Sequence, residues 1–320
     1  MYIAAGPDPA CALEGQALEI IQCVPNFSEG RRTTVIEALA AAVNGVSGVK
    51  LLDVQSDPDH NRSVLTFVGP PEPTLTAAAA AVRKATELID MEEHTGSHPR
   101  LGATDVVPFV PVGEAGIDRC IDLAHRLGDI VAEELGIPVY LYGAAAERPE
   151  RTVLADIRRG QYERLKDEIE QPHRRPDRGP ARLHPTAGAT VVGARPPMVA
   201  YNVYLKGGTL ALAKSIARRI RERNGGLPRV QAIGLEVAGD EVQVSMNLLD
   251  TEQTSIWRAF CAVKDLAQAA GAEVVRSEIV GLITLAALTG SFAQAGLCPD
   301  LGPAQVLESH LIGLAAPPAE

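Results

Sequence analysis

A chain of 320 residues exceeds what one hydrophobic core usually serves, so two packed domains of about 150 residues each are expected. With 46% hydrophobic and 22% charged residues the composition is that of a folded globular protein and excludes disorder, while aromatics at 4% leave the packing to Val, Leu, Ile and Ala. A formal net charge of -10 excludes a broad nucleic-acid surface, and no run of about 18 apolar residues is free of charge, so no membrane partner is expected.

Residues 1–16 carry two prolines and an aspartate and lack the basic and apolar regions of a signal peptide, so they read as an N-terminal extension. Short Val/Ile/Leu runs then alternate with longer helical patterns, the signature of α/β layering. Strands are expected over 18–24, 49–54, 63–68 and 106–110. Helices are expected over 33–43 and over 72–88, the second opening after Pro70-Pro71, where proline suits a first turn. A helix over 117–135 stops at Gly136 and leads into a strand over 139–142. The charged stretch 161–182, with Pro172, Pro176 and Pro180 and few apolar residues, reads as a linker.

Beyond it the pattern predicts a strand over 198–205, a helix over 210–222 and strands over 229–237 and 241–246 joined by a two-residue turn at Gly239-Asp240. A helix over 255–269 and a strand over 273–280 complete a β-α-β-β-α-β order. The fold class expected for the whole is α/β (α+β), two ferredoxin-like βαβ subdomains with mixed sheets covered by helices. The divisions are 17–194 and 195–320. Five cysteines (Cys11, Cys23, Cys120, Cys261, Cys298) form no C-x-x-C pair, which points to reduced thiols in the cytoplasm and to no zinc site.

The densest polar constellation runs from His94 to Asp105, where two glycines and Pro99 shape a turn around His98, Arg100 and Asp105. Pro99 limits the backbone of His98, which suits a positioned base, and Arg100 offers a planar fork for a carboxylate. The plainer account is that these groups satisfy each other. His94 and His98 lie in a turn broken by Gly96 and Pro99, so no metal is expected there. A second set, Asp57-Pro58-Asp59-His60-Asn61-Arg62, precedes a strand and reads nearly as well as a simple hairpin loop. Ser28, just ahead of a helix, reads as an N-cap, or else as part of a ligand-facing loop at a strand end. A third, Gly179-Pro180-Ala181-Arg182-Leu183-His184-Pro185-Thr186-Ala187-Gly188, is a side-chain-poor path against which a flat ligand can lie, and an ordinary linker has the same look.

These motifs occur in an order that resembles the formiminotransferase family, including the N-terminal part of the animal formiminotransferase-cyclodeaminases. The resemblance spans about 20–288. It rests on Cys23-Val24-Pro25-Asn26-Phe27-Ser28-Glu29-Gly30, Leu51-Leu52-Asp53, Asn61-Arg62, Thr66-Phe67-Val68-Gly69, Gly96-Ser97-His98-Pro99-Arg100 and Val139-Tyr140-Leu141-Tyr142-Gly143. Further matches are Gly188-Ala189-Thr190, Gly193-Ala194-Arg195, Val230-Gln231-Ala232-Ile233-Gly234 and Asn247-Leu248-Leu249-Asp250. It implies His98 as the catalytic acid/base, Gly179 to Gly188 as the folate-contacting stretch, and tetrahydrofolate (as polyglutamate) and formiminoglutamate as the reactants. It also implies a homodimer. Because the sequence stops at Glu320, a separate cyclodeaminase is expected to take the product. Leu183 and Ala187 stand where animal relatives carry aromatic residues, and Gln55 where some carry an acid.

Formimino transfer needs a proton removed from one nitrogen and delivered to another. An imidazole with its ordinary pKa near 6.5 does both at neutral pH, and the donor's two carboxylates call for guanidinium forks, with Arg62 and Arg100 as candidates. The rival readings are transfer of a formyl group between 5-formyltetrahydrofolate and glutamate, and a folate-binding protein without turnover.

Overall fold

The computed structural model describes residues 19–96, 98–113, 115–237, 239–289, 291 and 307. The extension over 1–16, Ser97, Ala238 and His310 lie outside them.

Two sheets organise the chain. The first begins with β1 (Ile20–Cys23) and β2 (Asn26–Phe27), in effect one strand interrupted at Val24-Pro25. Pro25 has no N–H for a ladder and offers only its carbonyl, which accepts the Leu65 N–H at 3.1 Å. There follow α1 (Thr33–Asn44), β3 (Lys50–Asp57), β4 (Arg62–Gly69), α2 (Pro71–Leu88) and β5 (Thr104–Val112). β3, β4, the β1/β2 strand and β5 lie side by side and antiparallel, the split βαβ arrangement. After α3 (Ile117–Leu135) come β6 (Val139–Gly143) and, much later, β7 (Thr190–Ala194). β7 slots between β5 and β6, parallel to both. The sequence reading has no strand at β7.

Helices α1, α2 and α3 cover one face of this sheet. Ala77, Ala78, Ala81 and Ala85 on α2 are fully buried, and their small side chains let that helix lie close to both neighbours. α3 ends at Gly136, whose φ of 66° supplies the left-handed cap that the sequence announced.

On the other face, beside β5, β7 and β6, a second core gathers Leu101, Tyr140, Tyr142, Ile157, Leu165, Ile169 and Val191. It is roofed by α4 (Leu154–Ile157) and α5 (Gln161–Glu168). The stretch 161–182 is therefore not a linker. Its apolar residues Tyr162, Leu165 and Ile169 recur at helical spacing and are buried, and its charges are held. Arg151 pairs with the buried Asp177, and the Arg174 guanidinium donates to the Ile157 and Arg159 carbonyls at 3.0 and 3.1 Å.

The chain passes to the second sheet between Ala194 and Val199. β8 (Val199–Lys206), α6 (Leu210–Ile220), β9 (Val230–Glu236), β10 (Glu241–Leu248), α7 (Ile256–Ala269) and β11 (Glu273–Val280) give an antiparallel sheet in the order β11-β8-β10-β9. The hydroxyls of Thr209 and Ser255 accept the Leu212 and Arg258 N–H groups, capping α6 and α7. The β9–β10 turn is one residue longer than expected. Val237 N–H bonds to the Glu241 carbonyl, leaving three residues between them, with Gly239 at φ 91°. A short α8 (Leu285–Thr289) follows β11. Leu282, just past β11, and Leu307 pack with Ile20, Val68 and Val112 of the first sheet. Among the described residues no helix is long and apolar enough to cross a membrane.

Candidate active site

The loop joining β3 to β4 is built by its own carboxylate. Asp57 accepts the Asp59 and His60 N–H groups at 2.9 Å each and pairs with the His60 ring at 2.5 Å, so the chain turns tightly. Asn61 then takes the left-handed conformation (φ 49°), its Oδ1 accepting the Gly30 N–H at 2.9 Å. A Cβ at Gly30 would meet the Asp57 carbonyl at 2.2 Å, so only glycine allows this approach. Arg62, first in β4, is thereby aimed back across β2, where its Nε–H donates to Asn26 Oδ1 at 2.9 Å. The Ser28 hydroxyl does not cap α1. It donates to the Gly102 carbonyl at 2.7 Å, and Glu29 accepts the Arg31 and Arg32 N–H groups instead.

Between α2 and β5 the His98 turn is fastened on both sides. Towards the hairpin loop, Asn61 Nδ2 donates to the Thr95 carbonyl at 2.9 Å. Towards β7, Ala103 N–H donates to Ala187 O at 2.9 Å and Ala189 N–H to Leu101 O at 3.1 Å. Arg100 is 6% exposed. Its guanidinium meets Glu163 at 2.6 and 2.9 Å and Gln161 at 3.2 Å, and its Nε–H donates to His94 Nδ1 at 3.2 Å. Asp105, 2% exposed, accepts the Leu101 N–H at 3.0 Å and pairs with Arg158.

These elements close tightly around a narrow site lined by Asn26, Phe27, Ser28, Asn61, Arg62, His94, His98, Arg100 and Asp105. Of its arginines, Arg100 is committed to Glu163, whereas Arg62 forms no ion pair among the described residues. Burial lowers the Arg62 pKa, as does Arg158, with Asp105 and Asp57 opposing. Among the described residues no side chain hydrogen-bonds the His98 ring. Burial, followed by the Arg62 and Arg158 guanidiniums and His60, depresses its pKa from 6.5 to about 3. The ordinary value expected from sequence therefore does not hold in this setting. The imidazole rests neutral, with a lone pair available as a base. Among the described residues no group of three His, Cys, Asp or Glu side chains is arranged to hold a metal ion.

The stretch from Gly179 to Gly188 borders a different pocket. Ala181, Arg182, Leu183, His184 and Pro185 line a cavity of about 370 Å³ with Glu92, Tyr162, Lys166, Asp167, Ile169 and Glu170. His184 shapes its own turn, its Nδ1 accepting the Ala187 N–H at 3.0 Å, and burial lowers its pKa. Thr186 O accepts the Met91 N–H at 2.7 Å, and Gly188, at φ 70°, crosses the Leu101 carbonyl. Gly179 (φ 80°) and Pro180 start the stretch beside Ile137. The two pockets share no lining residue. They adjoin through Arg100, whose carbonyl accepts the Tyr162 N–H at 2.9 Å.

Arg158, Gln161, Tyr162 and Glu163 escape the sequence reading, because the charge and proline content of their segment conceals its periodicity. The signal was Tyr162, Leu165 and Ile169 at i, i+3 and i+7.

Comparison with known proteins matches residues 20–195 to the family described as "Formiminotransferase domain, N-terminal subdomain" and residues 200–294 to "Formiminotransferase domain". The chain is 41% identical over 297 residues to a glutamate formimidoyltransferase of Streptococcus pyogenes serotype M1, covering 92% of this chain and 99% of that one. It is 45% identical over 274 residues to a glutamate formimidoyltransferase of Thermoplasma acidophilum, covering 85% and 90%. A formimidoyltransferase-cyclodeaminase of Gallus gallus is 46% identical over 272 residues, covering 83% of this chain and 50% of the relative.

Proposed function

The chain belongs to the formiminotransferase family, and from that premise we propose that it is a glutamate formimidoyltransferase. It moves the formimino group of N-formimino-L-glutamate to N5 of tetrahydrofolate, releasing L-glutamate and 5-formiminotetrahydrofolate. The observation that carries the reading is one pocket in which the neutral His98 imidazole lies with an Arg62 guanidinium that forms no ion pair among the described residues.

In the reaction a bond forms between N5 and the amidine carbon, the bond from that carbon to the glutamate nitrogen breaks, and one proton passes from N5 to the departing nitrogen. His98 takes that proton with its free lone pair. The imidazolium it becomes is a strong acid in so buried and cationic a site, so it gives the proton up readily to the leaving amine. Arg62 holds a carboxylate of the donor, and that negative charge offsets the guanidiniums that depress His98. Acid/base help of this kind contributes about 10² to 10⁴ in rate, and alignment of the two reactants supplies much of the rest. The Gly179 to Gly188 stretch and the 370 Å³ cavity beside it suit the co-substrate: Tyr162, Ile169 and Leu183 offer apolar surface, and Arg182 offers charge for an acidic tail, Lys166 being paired with Glu92.

On this reading 17–194 and 195–320 are the two subdomains, the protein works in the cytoplasm as a homodimer, and a separate cyclodeaminase consumes the product. The test is incubation with tetrahydrofolate plus formiminoglutamate, and separately with 5-formyltetrahydrofolate plus glutamate. Methenyltetrahydrofolate after acid treatment of the first mixture, together with its glutamate, supports the reading. Formylglutamate from the second mixture alone, or turnover in neither, overturns it.

A further inference from the structure

We infer that His94 is a positioning residue for the proposed transfer: its ring, held as one neutral tautomer between Arg100 and the Asn61 carbonyl, ties the turn carrying His98 to the loop carrying Arg62. The inference rests on the roles given above to those two residues.

The tautomer follows from its neighbours. Arg100 Nε–H lies 3.2 Å from His94 Nδ1, and a guanidinium can only donate, so Nδ1 must offer its lone pair. The ring proton then belongs to Nε2, which lies 3.0 Å from the Asn61 carbonyl, a group that can only accept. Both contacts are satisfied by one form of the imidazole alone. A second proton would abolish the bond from Arg100 and set two cations against each other. Burial disfavours that proton first, with Arg100 and Arg31 against it, while the Asn61 carbonyl and Glu29 favour it.

What the ring joins gives it its role. Asn61 immediately precedes Arg62, and its backbone is left-handed, an uncommon conformation that Asn tolerates better than most residues. Its side chain is fixed to Gly30 and Thr95, and its carbonyl is fixed to His94. Four residues after His94 comes His98. Gly96 lies between them, and a Cβ there would stand 2.4 Å from the His60 carbonyl, so the turn is pressed directly onto the loop. Arg100, on the far side of the ring, is anchored in turn by Gln161 and Glu163 on α5. His94 thus fixes the relative position of Arg62 and His98 without a role in proton transfer of its own. A displacement of about 1 Å between such groups costs on the order of a hundredfold in rate.

Two substitutions divide the ring's work. His94→Gln can keep a donor towards the Asn61 carbonyl but loses the acceptor for Arg100, and His94→Asn does the reverse. With both substrates saturating, each is expected to lose about 10- to 100-fold in kcat, with the thermal midpoint little changed and 5-formyltetrahydrofolate binding within twofold of wild type. Independently, two-bond ¹H–¹⁵N spectra of histidine-labelled wild-type protein should show His94 as the Nε2–H tautomer at pH 8 and still mainly so at pH 6.5. A mostly doubly protonated ring at pH 6.5, or an Nδ1–H tautomer, overturns the inference, and so does wild-type kcat in both variants. Absence of turnover in wild type overturns instead the reading of the pocket, while the spectra still report on the His94 tie.

Discussion

Arg158 pairs with Asp105, a carboxylate 2% exposed that lines the His98 pocket and also accepts the Leu101 N–H at 3.0 Å. The pair holds the start of β5 to the segment after α4, and Arg158 Nε is already buried without a partner. Asp105→Asn keeps an oxygen for Leu101 but leaves the guanidinium uncompensated. Breaking a buried pair from one side costs about 3–5 kcal/mol. Urea unfolding should show a loss of that order, and a midpoint unchanged from wild type would mean that the pair is solvated.

Among the described residues of the pocket, His98 alone has an uncommitted lone pair on nitrogen, and His98→Ala removes it. The expected loss in kcat is at least about a hundredfold, with binding of 5-formyltetrahydrofolate within twofold of wild type by calorimetry. Turnover close to wild type would reassign the proton shuttle.

Stability should carry the mark of His98 as well. Burial, then Arg62 and Arg158, hold its folded pKa at about 3, against 6.5 in an unfolded chain. Between those values the unfolded chain takes up a proton that the native protein refuses. Acidification from pH 6.5 therefore removes stability, by at most about 1.4 kcal/mol per pH unit from this group. The contribution is absent above pH 6.5 and is no longer growing below pH 3. Denaturant melts at pH 7, 6, 5 and 4 should converge for wild type and His98→Gln at the high end and diverge at the low end, the variant losing less. Parallel curves would place the ring in contact with water.

The alternation of strands and helices was legible because it rests on local signals: Pro70-Pro71 before α2, Gly136 after α3, the period-2 pattern of β9 and β10. The His98 turn stood out for its density of glycine, proline and polar groups. What stayed hidden depends on contacts between distant segments. β7 is five residues long and becomes a strand because β5 and β6 leave a slot between them, which no local pattern encodes. The segment 161–182 carries so many charges that its three buried apolar positions were outvoted, yet the side chains of Arg174 and Asp177 carry charges that the fold buries and pairs, Asp177 with Arg151 and Arg174 with Glu168. The depressed pKa of His98 was equally out of reach, since it comes from burial and from two arginines 36 and 60 positions away in sequence.

Gly102, like Gly30, marks a tight backbone crossing in the site. A Cβ there would stand 2.2 Å from Ala189 O and 2.3 Å from Ala187 O, both backbone atoms on the strand side of the co-substrate stretch. Neither can swing aside as a side chain would. Gly102→Ala should destabilise by about 1–3 kcal/mol and loosen the registry between the His98 turn and residues 187–189. Hydrogen exchange at the Ala103 and Ala189 amides is the direct readout, and protection equal to wild type would show that the backbone absorbs the methyl group.

Arg62 and Arg100 were equal candidates for gripping the donor, and their surroundings separate them. Arg100 spends its fork on Glu163 and Gln161 and its Nε–H on His94, so a carboxylate arriving from solution would have to displace Glu163, whose side chain is 62% exposed. Arg62 spends its Nε–H on Asn26, and among the described residues its terminal amino groups form no ion pair, which leaves them for a ligand. Lysine substitution keeps the charge in both cases but removes the fork and its geometry. Arg62→Lys should raise the KM for formiminoglutamate about tenfold or more, the loss of about 1.4 kcal/mol that one weakened charge-assisted bond represents, with a smaller effect on kcat. Arg100→Lys should act the other way round, lowering kcat and the thermal midpoint while KM for the donor moves little, because what fails is the support of the His98 turn. Steady-state kinetics on the two variants decide between them, and a KM effect confined to Arg100→Lys would exchange the assignments.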